Sequence, residues 1–317
     1  MKTRKLGWTD LDLTVIGLGT WAMGGGGWQF GWGPQEDRES EAAILRALDL
    51  GINWIDTAAV YGLGRSEEIV GKTLKNLSEK PPIATKCGRE WGLDGKVWGN
   101  LKRERILSEI EASLQRLQVD VIDLYQIHQP RPDEDIEEAW GAIVDAVKAG
   151  KIRYAGVSNF SVSQLHRVQA IHPVASLQPP YSMLRRGVEE ELLQFCAENE
   201  IGVVVYSPMQ KGLLTGKFSR ERFQELPEDD HRRRDPMFLE PQLSSNLELV
   251  EKLRLIAEKQ GRTVAQLAIG WCLRRPEVTS AIVGARRSSQ IEETAPAAEW
   301  DLSTEELAAI DGLLEDY

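Results

Sequence analysis

The chain has 317 residues, 49 acidic against 38 basic, and a formal net charge of −11, which makes it a poor non-specific binder of nucleic acid or of an anionic membrane. Three dispersed cysteines, Cys87, Cys196 and Cys272, form no C-x-x-C pair and no disulfide framework. No His/Cys cluster has zinc spacing, and no apolar run reaches the roughly 18 residues of a membrane span.

The N-terminal "MKTRKLGWTDLDL" lacks the apolar core of a signal peptide, so a cytoplasmic protein is expected, with no metal and no membrane, nucleic-acid or obligate protein partner implied. Residues 4–15 read as a hairpin turning around Trp8–Asp10. From there short β-rich runs alternate with helical patterns. "TVIGLG" precedes a helix near Ser40–Leu50, "INWID" precedes Glu67–Leu77, and "PIATK" precedes Lys102–Leu117 with Ile106, Ile110, Leu114 and Leu117 on one stripe. "VIDLYQIH" precedes Asp135–Ala149, "IRYAGVSN" precedes Ser161–Ile171, and "ASLQ" precedes Glu189–Asn199. "GVVVYS" is followed by a long polar segment and then Asn246–Gln260, and "SAIVG" by Ser288–Ala297. Extra helices are expected at Thr263–Arg274 and Ser303–Leu314.

Eight strand-then-helix units imply parallel pairing with right-handed crossovers. With no composition break, they predict an α/β fold: a (β/α)8 TIM barrel with an N-terminal β-hairpin and extra C-terminal helices, one domain over residues 1–317. Such barrels carry their sites at the C-terminal ends of the strands. The polar residues predicted there are Asp56, Lys86, His128, Ser158, Asn159, Gln178, Tyr206, Ser207, Gly284 and Arg286. Their convergence on one mouth is the main functional signal of the pattern.

Asp56, Tyr61, Lys86 and His128 form a proton-transfer set. A phenol is a feeble acid at neutral pH, and a nearby ammonium favours phenolate, so Lys86 is expected to lower the Tyr61 pKa while Asp56 keeps Lys86 charged. His128 would orient a substrate oxygen. Plainer readings stand beside these: a structural Asp56–Lys86 ion pair, a structural His128 and an ordinary loop tyrosine. "MGGGG" at Met23–Gly27 lacks the strand–glycine-loop–helix context of a phosphate cradle and reads as a flexible loop.

At this point motifs accumulate in order: "IDTAAVYGLGRSEEIVG", "IATKCG", "DLYQIHQP", "GVSNF", "LQPPYS" and "YSPMQKGLLTGK". Together they resemble the aldo-keto reductase family across essentially the whole chain. "GTWAMGG" with "AIVGARRSSQIEE" looks most like its bacterial general-stress-protein branch. The resemblance implies reduction of a small-molecule carbonyl substrate, an aldehyde or ketone, with NADPH, and its return to NADP+. It assigns the catalytic tetrad to Asp56, Tyr61, Lys86 and His128, with Tyr61 as general acid. It places Ser158, Asn159 and Gln178 on the nicotinamide carboxamide and Tyr206 against the ring. Ser207, Gly212 and Leu213 fall along the pyrophosphate, and Gly284, Arg286, Gln290 and Glu293 at the adenosine end. The chain departs from the pattern at Thr294, where many relatives carry Asn, and in the variable insert "GWQFGWGPQ".

Arg286 and Arg287 are expected to read a 2′-phosphate bidentately, with Ser288 beside them. Trp21, Trp28, Phe30, Trp32, Trp91 and Trp98 are expected to wall an apolar substrate pocket, or else to seal loops against the barrel. Pro208–Ser245 is long enough to act as a lid, with Arg232–Arg234 near phosphates. Two rivals remain: a redox-sensing, nicotinamide-binding partner subunit with little turnover, and Schiff-base chemistry at Lys86.

Overall fold

The computed structural model describes every residue except Asp316. Eight parallel strands close into a barrel in sequence order: β1 (Ile16–Gly19), β2 (Ile55–Asp56), β3 (Ile83–Cys87), β4 (Ile122–Ile127), β5 (Ile152–Ser158), β6 (Ser176–Gln178), β7 (Gly202–Tyr206) and β8 (Val278–Gly284). The ring closes where β8 pairs with β1, Gly284 standing opposite Gly19. Eight helices cover the outside: α1 (Asp37–Asp49), α2 (Arg65–Leu74), α3 (Arg103–Leu117), α4 (Ile136–Lys148), α5 (Val162–Gln169), α6 (Leu192–Glu198), α7 (Gln242–Lys259) and α8 (Ser288–Thr294). Two further helices span Val264–Leu273 and Thr304–Glu315. The fold is therefore the (β/α)8 barrel that the alternating pattern predicts.

Local chemistry explains the helices. Along α4, Ile136, Ala139, Trp140, Ile143 and Val144 recur at three- and four-residue spacing, and all are buried against the strands. The start of α5 is a capping box: the Ser161 hydroxyl accepts from Gln164 N, and the Gln164 side chain accepts from Ser161 N. Strands Thr3–Lys5 and Asp12–Thr14 form the N-terminal hairpin, with Thr3 opposite Thr14. Leu6, Leu11 and Leu13 of this hairpin pack with Trp54 and close the lower end of the barrel interior.

Three stretches differ from expectation. The tryptophan-containing loop after β3 is a second hairpin, Arg89–Trp91 paired with Val97–Gly99, turning through Gly95 at φ +73°. The polar stretch after β7 is built of short turns (Gln210–Thr215, His231–Arg234, Pro236–Phe238) and the helix Arg220–Gln224, held by an apolar cluster of Leu213, Phe218, Leu226, Phe238 and Leu243. Its hydrophobes lack a regular period, so the pattern did not reveal it. Helix α8 stops at Thr294 and Ala295–Glu299 continues as a 3-10 turn, because Pro296 removes a backbone donor.

Candidate active site

Side chains of a strand alternate between its two faces. Trp54, Ala84, Leu124, Val204 and Ile282 share the cluster inside the barrel. The residues two positions further along their strands, Asp56, Lys86, Gln126, Tyr206 and Gly284, therefore form the next layer up, at the C-terminal mouth. Period two alone brings a carboxylate, an ammonium, an amide and a phenol to one level.

Lys86 is the centre of that layer. Its Nζ donates to Asp56 Oδ1 at 2.9 Å, to Asp56 Oδ2 at 2.7 Å, to the Thr57 carbonyl at 2.8 Å and to Tyr61 Oη at 3.3 Å. Lys86 and Asp56 are 1% and 2% exposed, so neither charge could stand there alone. Gln178 Nε2 donates to Asp56 Oδ1 at 2.8 Å, which fixes the carboxylate from the far side. The Tyr61 ring meets the His128 ring edge-on, 5.7 Å between centroids. Tyr61 is carried by a loop that leans on the one after β1. Gly62 (φ +60°) and Gly24 touch backbone to backbone, and a Cβ on Gly62 would lie 2.3 Å from the Gly24 carbonyl.

Burial dominates the electrostatics. It lowers Lys86 from its ordinary pKa, against the pull of Asp56. It raises the Tyr61 phenol well above its usual value, and the charges of Asp56 and Tyr206 push the same way. Contrary to the expectation set by the nearby ammonium, the Tyr61 phenol is thus not brought below its ordinary value: desolvation first, and then the Asp56 carboxylate, set the net direction. His128 is held well below its usual pKa by burial, then by Lys86 and Arg89, and is a neutral imidazole.

A groove of about 360 Å³ runs from Tyr61 and Asp56 past Tyr206, Ser207 and Gly212 to Arg286, Gln290 and Glu293. Ser158 Oγ donates to the Gln178 carbonyl, and Asn159 Nδ2 donates to the His128 carbonyl and to Ser158 Oγ. Tyr206 Oη donates to Asn159 Oδ1 at 2.9 Å. Gly212 lines the groove at φ +103°, a conformation that favours glycine. Leu213 is fully buried in the apolar cluster after β7 and does not line the groove. Gln290 Oε1 caps α8 by accepting from the backbone N–H groups of Arg286 and Arg287. Glu293 pairs with Lys217 across the groove at 2.5 Å.

Arg286 lines the groove, but its donors are engaged. Nε donates to Gln35 Oε1 at 2.6 Å, Nη1 to the Trp32 carbonyl at 3.1 Å and Nη2 to the Pro34 carbonyl. The Arg287 side chain is 68% exposed, 3.2 Å from Glu39. The arginine run after β7 is also engaged: Arg232 chelates Asp230, Arg233 donates to Leu226 O and Arg234 to Gln29 O. These arginines staple loops together, and a charge run read from sequence does not show that.

Of the tryptophans, Trp21 and Trp32 line the groove. Trp21 stacks on Tyr61 (6.1 Å, 22°) and on His231 (4.8 Å, 29°). The other three do not line it, although Trp28 and Trp91 pack in the cluster that holds Tyr61. Trp28 is buried in loop packing with its Nε1 on Gly25 O, Trp91 lies under the Arg105 guanidinium, and Trp98 is 46% exposed. The residues that sequence reasoning missed are Gln126, Lys211 and His231. The inward parity of "DLYQIH" could have revealed Gln126. No spacing rule points to His231 or Lys211, which reach the mouth through irregular backbone. Among the described residues no group of three His, Cys, Asp or Glu side chains is placed to hold a metal ion, and no helix is long and apolar enough to cross a membrane.

Comparisons agree with this geometry. Residues 15–315 match the model of the Aldo/keto reductase family. The chain is 40% identical to Aldo-keto reductase YhdN of Bacillus subtilis (strain 168), over 97% of this chain and 92% of that one. It is 35% identical to the NADH-specific methylglyoxal reductase of Escherichia coli (strain K12), over 96% and 95%. The glycerol dehydrogenase AKR11B4 from Gluconobacter oxydans has a similar structure, with a TM-score of 0.90 at 38% identity, covering 99% of this chain and 95% of that one.

The buried imidazole at the mouth makes stability depend on pH. Burial pushes the His231 pKa down to about 4, whereas an unfolded histidine titrates near 6.5. Between those values the unfolded chain binds the extra proton, so the contribution is present above about 6.5 and is lost as pH falls towards 4. Denaturant unfolding across that window should show His231→Gln losing less stability than wild type, the difference amounting to about 3 kcal/mol at the acid end. Parallel curves would contradict the assignment.

Proposed function

The chain belongs to the aldo/keto reductase family, and on that premise we propose that it reduces small aldehydes or ketones to alcohols with NADPH, Tyr61 protonating the carbonyl oxygen. We read residues 1–317 as one catalytic domain. The observation that carries the reading is the Tyr61 hydroxyl 3.3 Å from Lys86 Nζ, which both Asp56 oxygens hold, at the floor of the groove.

The groove suits a dinucleotide. Tyr206 lines the Tyr61 end and offers an aromatic face there, while Ser158, Asn159 and Gln178 lie behind it in a hydrogen-bonded cluster that holds Tyr206 and Asp56. Lys217, Arg286 and Arg287 supply cations at the other end. When bound, the nicotinamide supplies the hydride. The chain's residues do the rest. Tyr61 and neutral His128 present donors to the substrate oxygen. As negative charge develops there, Tyr61 gives up its proton. Lys86 stabilises the phenolate that remains, and Asp56 with Gln178 keeps the ammonium in register. The raised Tyr61 pKa keeps the phenol protonated at neutral pH, the state that a proton donor needs. Asp56 chelation of Lys86 weighs against the Schiff-base alternative, since the nitrogen is not free to attack.

Tyr61→Phe should lower turnover about 10²–10⁴-fold while leaving NADPH binding nearly intact, followed by the absorbance of reduced nicotinamide with a panel of aldehydes. A Phe variant within about threefold of wild type, with chemistry limiting, would remove Tyr61 from the role.

For the cofactor preference we assign the 2′-phosphate contact to Arg287, because the Arg286 donors hold the loop after β1 while the Arg287 side chain is exposed, its ion pair with Glu39 lying at the surface. Fluorescence titration should show NADPH binding about tenfold tighter than NADH, the gap closing in Arg287→Ala. Equal affinities in wild type would contradict the preference.

A further inference from the structure

Lys211 is a groove lysine apart from the Lys86–Asp56–Tyr61 cluster. Lys211 lines the same wall as Tyr61, Trp21 and Tyr206, with its ammonium 5.8 Å from the centre of the Trp21 ring. Trp21 in turn stacks on Tyr61. The backbone that carries Lys211 is costly. Gln210 and Lys211 hold φ of +45° and +55°, a left-handed pair without glycine, before Gly212 at +103°. Strain of this kind persists where surrounding structure overrules it, and it clusters at functional sites.

The ammonium does not face the groove uncompensated. Asp235 Oδ2 accepts from Lys211 Nζ at 2.7 Å, with the two side chains 14% and 21% exposed. The other Asp235 oxygen accepts from Met237 N at 3.0 Å, which fixes the carboxylate. The neighbouring cation follows the same rule: Arg232, 4.7 Å over Trp32, is chelated by Asp230 at 3.0 and 2.7 Å. A free cation beside the reacting carbonyl would attract a carboxylate or phosphate on the substrate. Here aromatic faces and cations neutralised from within line the groove instead, and the Lys211 ammonium presents no uncompensated charge to an anionic substituent.

We propose that Asp235 is a specificity-determining residue: by neutralising Lys211 it reserves the site above Tyr61 for uncharged carbonyl compounds with an apolar body. This rests on the carbonyl-reductase reading and names its substrate class. Para-nitrobenzaldehyde and para-carboxybenzaldehyde are near-equal in shape but differ in charge and in intrinsic carbonyl reactivity, so the change in their kcat/KM ratio from one variant to the next, in which the intrinsic difference cancels, reads the effect. Wild type should favour the nitro compound by about tenfold or more. Asp235→Asn keeps the shape and the Met237 contact but frees the ammonium. It should shift the ratio towards the carboxylate about tenfold, and adding Lys211→Met should reverse that shift. The NADPH dissociation constant is measured on each variant. A ratio unmoved by Asp235→Asn overturns the proposal, as does a change confined to NADPH affinity, which would assign Lys211 to the cofactor phosphates. Absence of turnover with any aldehyde in wild type would instead overturn the reductase reading, and the proposal with it.

Discussion

A lysine ammonium buried at the mouth of a closed barrel is the constraint around which the site is arranged. Taking such a charge out of water costs several kcal/mol, and an ion pair offsets that only with good geometry and further hydrogen bonds. Lys86 has both: two carboxylate contacts to Asp56, a backbone carbonyl and the Tyr61 hydroxyl. Asp56 needs Gln178 for the same reason. A well-packed apolar pair would give comparable stability, so stability alone is weak grounds for keeping the charge. Its use is electrostatic: it stands where a phenolate would form, in surroundings dry enough for one charge to act strongly on another.

The loops complete what the strands begin. Strand parity delivers Asp56, Lys86 and Tyr206 but not Tyr61, which depends on the close contact of Gly24 with Gly62. The loop after β1 is then tied to the far side of the mouth. Arg286 holds it through Trp32, Pro34 and Gln35, and His231 donates from its backbone N–H to the Gly31 carbonyl. Trp21 is thereby set between Tyr61 and His231, with Lys211 nearby. The wall above the reacting group is thus made by two segments that neither strand order nor helix period specifies.

That division explains what could be read in advance. The barrel, its hairpin and most helices follow from periods of two and 3.6, which are local properties of the chain. The layer holding Asp56, Lys86 and Gln178 follows from the same parity. The direction of the Tyr61 pKa did not follow, because spacing shows that a cation is near but not how much water has left. The partners of Arg286 were illegible for a related reason: a guanidinium next to a strand end has many possible acceptors, and carbonyls of a loop some 250 positions away are invisible in sequence. Trp28, Trp91 and Trp98 show the same limit, since aromatic content identifies a loop with something to cover but not which ring covers it.

The role of the buried ammonium is tested most directly by the single-turnover rate of carbonyl reduction in Lys86→Met, at cofactor saturation and with the cofactor dissociation constant measured alongside. Methionine fills similar space without the charge. The account predicts a fall of about 10²–10³-fold, the scale seen when one preorganised donor to a developing oxyanion is removed, with cofactor affinity little changed. A Lys86→Met enzyme reducing the same aldehyde within about threefold of wild type would contradict it and return the Lys86–Asp56 pair to a purely structural role.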